Sequence, residues 1–141
     1  MYRHILIPLE NSPSDRVIID HIRPLAKQLH AELILVHVAD GFAARLQDQL
    51  NLEESEEIKK DRAYLQQCRE ELTKEGLKVK THLLAGDPPD QILTIADAEE
   101  VDLIAMSTHG HRLLQDFILG SVAENIRHRT NIPILMIRAA K

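Results

Sequence analysis

Glu32-Leu33-Ile34-Leu35-Val36-His37-Val38-Ala39 is the stretch that decides the fold. Its apolar character is nearly continuous, which suits a strand covered on both faces rather than one with a solvent side. Both flanks read as helices. Upstream, Ile18, Ile22, Leu25 and Leu29 recur at spacings of four, three and four, one face of a helix. The hydroxyl of Ser12 or Ser14 is expected to cap that helix, Pro13 suits its first turn, and Pro24 predicts a kink. Downstream, Ile58, Leu65, Cys68 and Leu72 predict an amphipathic helix ended by Gly76. Between them, residues 42–57 are ambiguous; their acidic end, Glu53-Glu54-Ser55-Glu56-Glu57, reads as a solvated helical start or a flap.

The rest of the chain repeats the alternation. A first strand, His4 to Leu9, runs into the turn-rich Glu10-Asn11-Ser12-Pro13-Ser14-Asp15. A third, Leu77 to Leu84, mixes Val79 and His82 with lysines and Thr81 and so belongs at an edge. Gly86-Asp87-Pro88-Pro89 turns into a short helix carrying Ile92, Leu93, Ile95 and Ala96. A fourth strand, Val101 to Met106, leads to a loop from Ser107 to Arg112, and a helix is expected to begin near Gly120-Ser121. The fifth strand is Ile132 to Ile137, and Pro133 within it favours an edge. Strands alternating with helices imply right-handed βαβ units, hence a parallel sheet with helices on both faces. The expectation is a single doubly wound, Rossmann-like α/β domain spanning residues 1–141.

Composition narrows the function. The 141 residues carry 17 Lys and Arg against 22 Asp and Glu, a net charge of −5, which argues against coating nucleic acid. Two Tyr, two Phe and no Trp supply no base-stacking platform. At 44% hydrophobic, the chain has enough apolar residues for a core. Cys68 stands alone, so there is neither an internal disulfide framework nor a cysteine-based zinc site. No apolar run reaches the roughly 18 residues of a membrane span. The apolar part of Met1 to Pro8 is too short for a signal peptide. A cytoplasmic protein is expected.

Open parallel sheets bind ligands beyond the carboxyl ends of their strands, where the strand order reverses. Two loops stand out there: Glu10-Asn11-Ser12, and the stretch from Ser107 to Ser121. Gly110 lets backbone N–H groups approach an anion, and Gly120-Ser121 opens a helix with free N–H groups and a hydroxyl. A phosphate fits that arrangement; two glycines that merely end a strand and start a helix fit the spacing equally well. Arg112 suits a bidentate contact to a terminal phosphate, or is an exposed loop cation. His109 and His111 alternate on the loop without a carboxylate cluster and read as solvent-exposed or hydrogen-bonded rather than metal-bound. His37 reads as a satisfied core histidine and Cys68 as a packing residue. A G-x-S-x-G elbow and a G-x-x-x-x-G-K-S/T loop are both missing. A phosphoacceptor receiver domain would need paired acids where Glu10 is followed by Asn11.

The chain resembles the universal stress proteins. The resemblance is carried by His4-Ile5-Leu6-Ile7-Pro8 with Glu10 and Ser12, by 31–38, and by Gly86-Asp87-Pro88. It continues through Val101-Asp102-Leu103-Ile104, Ser107-Thr108-His109-Gly110, 119–125 and Ile132-Pro133-Ile134-Leu135. It implies a five-stranded parallel sheet of order 3-2-1-4-5, which brings the two loops together at strands one and four. Nucleotide-binding members carry Gly-x2-Gly-x9-Gly-Ser/Thr. Here Ser107 replaces the first glycine, and Gly110, Gly120 and Ser121 keep the rest. The resemblance therefore implies ATP or AMP, optionally with Mg2+, held by Ser107, Gly110, Gly120, Ser121 and the Val122 backbone, with His111 and Arg112 beside the phosphates. Pro8 and Glu10 would line the adenosine end, and the Val38 backbone would pair with adenine. Glu10 stands where the family has aspartate, one methylene shorter. Serine at position 107 fits if its φ is negative and is costly otherwise. The resemblance also implies a stress-response binding or signalling module and a homodimer along Ile132 to Ile137; its protein partner is unknown. Two other readings are a slow ATPase, with His109, His111 or Glu10 as the base, and a nucleotide-free protein acting through protein contacts.

Overall fold

The computed structural model describes residues 1–39, 56–109 and 118–139. The strands are β1 (His4–Pro8), β2 (Glu32–Ala39), β3 (Lys78–Ala85), β4 (Leu103–His109) and β5 (Ile134–Ala139). They form one parallel sheet in the order β3-β2-β1-β4-β5, the order expected. Among the described residues the helices are α1 (Ser14–Leu29), α2 (Glu56–Lys74), α3 (Pro88–Ala98) and α4 (Ile118–Arg127). The ambiguous segment 42–57 lies almost wholly outside the described residues; Glu56 and Glu57 open α2.

Successive side chains of a strand point to opposite faces, so each strand feeds two cores. Ile5, Ile7, Leu33 and Leu35 pack under α1 and α2 with Ile18, Ile22, Leu65 and Leu72. Leu6, Ile34, Val36, Ile104 and Met106 pack under α3 and α4 with Ile92, Ala96 and Ile126. This two-sided demand is why β2 is apolar almost throughout. β3 and β5 are the edges, as their sequences suggest. Gly76 closes α2 with φ 92°, a conformation that L side chains rarely adopt. Asp87 caps α3 by accepting from the Asp90 N–H, with Pro88 and Pro89 opening the helix. α1 runs through Pro24 to Leu29.

The boundaries differ from the sequence reading chiefly in β4 and β5. β4 begins at Leu103 and continues past Met106 through Ser107, Thr108 and His109, which pair with Ile137, Arg138 and Ala139 of β5. Their polar side chains read as a loop, but the ladder uses only backbone groups. α4 starts at Ile118, near the expected Gly120-Ser121, and both of these residues lie in its first turn. β5 starts at Ile134; Pro133, lacking an N–H, stands just outside, and its carbonyl accepts from the Ile104 N–H at 3.0 Å.

At the amino end of the sheet, the Asp102 carboxylate accepts from the N–H groups of Arg3 (2.9 Å) and His4 (3.0 Å). The Arg3 carbonyl in turn accepts from the Glu32 N–H at 2.8 Å.

On the β3 side, Glu99 accepts from Lys80 Nζ at 3.0 Å, and its second oxygen lies 2.7 Å from His82 Nε2. Lys80 first, then His82, hold the Glu99 carboxyl below its ordinary value. A lowered carboxyl adds stability above its unfolded value and loses it as pH falls through the folded one. Glu99→Gln should therefore be less stable than the native chain at neutral pH, with urea midpoints converging in acid. A gap that is the same at both pH extremes would rule this linkage out.

Candidate functional site

The strand order reverses between β1 and β4, and the two part early. Their pairing covers Ile5 with Leu103 and Leu6 with Ile104, whereas β4 stays with β5 as far as His109. Continuing the register sets Ser107 level with Leu9 at the carboxyl end of the sheet, the place where open parallel sheets bind ligands.

One wall is the turn after β1. The Asp15 carboxylate is fully buried and accepts from the N–H groups of Glu10 (3.0 Å), Asn11 (2.8 Å) and Ser12 (3.3 Å). The Tyr64 hydroxyl of α2 donates to it at 2.6 Å. Burial pushes the Asp15 carboxyl up despite these hydrogen bonds; burial and the Asp15 contact push the Tyr64 hydroxyl up as well. The expected serine cap of α1 does not form. Pro13 occupies the cap position, with no side-chain cap. The Ser12 and Ser14 hydroxyls instead donate to Glu10 Oε2, at 2.9 and 3.1 Å. An ionised carboxylate is the stronger acceptor, and here it draws both hydroxyls away from the helix end.

Behind this turn, His37 is satisfied, as its sequence context suggested, but by long-range partners. Its Nδ1 lies 2.8 Å from the Leu9 carbonyl, which can only accept, so Nδ1 donates. Its Nε2 lies 3.1 Å from Asp61 Oδ2, and Asn11 Nδ2 donates to the other Asp61 oxygen at 3.1 Å. The left-handed φ of Asn11, 63°, aims its amide there. β2, α2 and the turn are thereby tied together. Asp15, Asp61 and Tyr64 were not found from the sequence. An acid in a helix's first turn is a weak signal for Asp15. Asp61 and Tyr64 meet partners some 50 residues away, and no local pattern marks them.

The second wall is the end of β2. Its pairing with β1 stops at Pro8 and Val36, and the Val36 carbonyl accepts from the Leu9 N–H at 2.7 Å. Backbone groups alternate direction along a strand, so the N–H and C=O of Val38 face the same side as those of Val36. The β1 ladder has ended at Pro8, so it does not reach them. The Val38 side chain meanwhile packs against the α3–α4 core.

The third wall is β4 and α4. Ser107 is 1% exposed, and its Oγ has no hydrogen-bond partner among the described residues. Its φ is not among the positive values of the chain, so serine fits this backbone without strain. Gly120 and Ser121 are the third and fourth residues of α4, whose first four N–H groups have no acceptor within the helix. Val122, next in line, is buried in the α3–α4 core. Gly110, His111 and Arg112 lie outside the described residues. The structure thus brings Pro8, Glu10, Val38 and Ser107 to the carboxyl end of adjacent strands. Among the described residues no group of three or more His, Cys, Asp or Glu side chains is placed to hold a metal ion.

Residues 1–138 match the universal stress protein family. The chain belongs to that family. The universal stress protein MJ0577 of Methanocaldococcus jannaschii is 30% identical over 98% of this chain and 96% of its own. A solved structure of MJ0577 superposes on this universal stress protein with a TM-score of 0.79, covering 100% of this chain and 99% of the other. A universal stress protein solved in complex with cAMP shares its fold, with a TM-score of 0.71 at 18% identity over 99% and 98% of the two chains. So does one from Archaeoglobus fulgidus in complex with dAMP, with a TM-score of 0.70 at 22% identity over 96% and 98%.

Proposed function

We propose that this universal stress protein binds an adenine nucleotide, ATP or AMP, in the crevice between β1 and β4. The reading rests above all on Val38. An N–H and a C=O side by side on a strand end match the acceptor and donor on adenine's pairing edge, as a neighbouring strand would. The free N–H groups at the start of α4 suit the phosphates at the other end of such a ligand, joined by Gly110, His111, Arg112, Gly120, Ser121 and the Val122 backbone. Pro8 and Glu10 would flank the adenosine, and Mg2+ would accompany the phosphates of ATP. Two proteins of this fold hold cAMP and dAMP, ligands of the same chemical class. The chain, residues 1–141, acts in this reading as one cytoplasmic domain that passes its nucleotide state to a protein partner. Mass spectrometry of nucleotide released from freshly purified, denatured protein is expected to find ATP, ADP or AMP. Calorimetry with ATP and AMP is then expected to give saturable binding; no heat with either would refute the reading.

The same reading includes a homodimer along β5. As an edge strand it offers unpaired backbone groups, and Met136 is 49% exposed. Leu135 and Ile137 face the other way and pack against the α1–α2 core, so they are poor probes of the edge. Met136→Lys should convert a sedimenting dimer to a monomer at micromolar concentration while the fold persists. A native monomer at that concentration would dispose of the dimer.

A further inference from the structure

We infer that the His37–Asp61 pair is a proton-dependent clasp on the turn after β1, so that nucleotide binding tightens as the pair takes up a proton and loosens as it gives one up. This rests on the nucleotide reading and adds a regulation of that site. Both nitrogens of the His37 ring are engaged: Nδ1 donates to the Leu9 carbonyl at 2.8 Å, and Nε2 lies 3.1 Å from Asp61 Oδ2. With Nδ1 already protonated, a neutral ring turns the Nε2 lone pair on a carboxylate, acceptor against acceptor. The contact is attractive only when the pair holds one more proton, on Nε2 or on Asp61. Water offers little relief, because the two side chains are 12% and 10% exposed. Glu10 and Asp15 stand on the turn side, Tyr64 lies one turn along α2, and β3 presents Leu83 level with His37. The α2 neighbours Lys60 and Arg62 are exposed. Losing the proton leaves a further negative charge, scarcely exposed, at a turn that already carries Glu10 and Asp15. The pair reaches the site through two residues. Leu9 and Asn11 bracket Glu10, which would flank the adenosine. Asn11 donates to Asp61 Oδ1 at 3.1 Å while holding its left-handed φ of 63°, a conformation that needs such support. The proton on the pair therefore sets how firmly the adenosine wall is held, and His37 and Asp61 act as positioning residues.

His37→Gln tests the clasp, because a glutamine amide can donate to Asp61 at every pH and has no proton to lose. AMP affinity is measured by calorimetry for both proteins at about pH 6 and about pH 8, across the ordinary histidine range. The ligand phosphate and the other histidines titrate alike in both and cancel from the native-to-variant affinity ratio. That ratio is expected to fall about fivefold from the lower pH to the higher, the low end of ordinary coupling between sites. Asp61→Asn should run the other way. Its carbonyl keeps the Asn11 contact, and its amide can donate only to an unprotonated Nε2, so its affinity relative to His37→Gln rises with pH. A purely structural pair gives melting temperatures that vary with pH but a constant affinity ratio. That result overturns the clasp and leaves the nucleotide reading standing. Should a thermal melt show that His37→Gln does not fold, the native protein against Asp61→Asn carries the same comparison, with the ratio again expected to fall. Failure of the native protein to bind AMP or ATP at either pH overturns both readings.

Discussion

Replacing Asp15 with alanine is expected to destabilise the protein by about 3 kcal/mol, because four part-buried donors lose their buried acceptor together. The N–H groups of Glu10, Asn11 and Ser12 and the hydroxyl of Tyr64 converge on that one carboxylate. The carboxyl is itself pushed up by burial, so part of its hydrogen-bonding gain offsets its desolvation, and the net loss is smaller than a count of bonds suggests. Its raised value adds stability only in acid and withdraws it as pH rises through the folded value, so the variant's deficit should be largest at low pH. Urea unfolding at two pH values measures both effects. A loss below about 1 kcal/mol would mean that the turn reorganises freely and that Asp15 does not hold it.

The second large effect concerns the nucleotide alone. Gly120→Val should weaken binding of ATP at least about a hundredfold, roughly 2.7 kcal/mol, while the fold is kept. Gly120 is the third residue of α4, among the N–H groups that face an anion at a helix start. A branched side chain there stands in the way of a phosphate. Helix propensity does not oppose the change, since glycine is the poorer helix former, and a melt separates lost binding from lost fold. Calorimetry beside a thermal melt checks both halves. Unchanged affinity would move the phosphates away from α4.

Much of this architecture is legible in the residues. β2 was read with its observed bounds because two-sided burial leaves an unbroken apolar run. The largest misreading came from treating polar side chains as signs of irregular backbone. Ser107 to His109 are strand because β5 pairs with their backbones, and hydropathy carries no record of such pairing. Ser12 and Ser14 look like caps by residue preference, but an acid two positions ahead of Ser12 claims both hydroxyls. Of the candidate site, the strand order makes one part readable in advance: Pro8, Val38 and Ser107 fall at the carboxyl ends of β1, β2 and β4. The supporting layer of Asp15, Tyr64 and Asp61 was not readable, because it joins elements distant in sequence.

The Asp102 clamp on Arg3 and His4 has a practical corollary. In a parallel sheet every strand starts at the same end, and the clamp pins the chain's entry there, with Met1 fully solvent-facing. A biotin or affinity handle fused ahead of Met1 would therefore leave the molecule at the end remote from the crevice. Protein immobilised through that handle would present the carboxyl ends of its strands outward, which is the orientation a surface-binding assay for small ligands or captured partners requires.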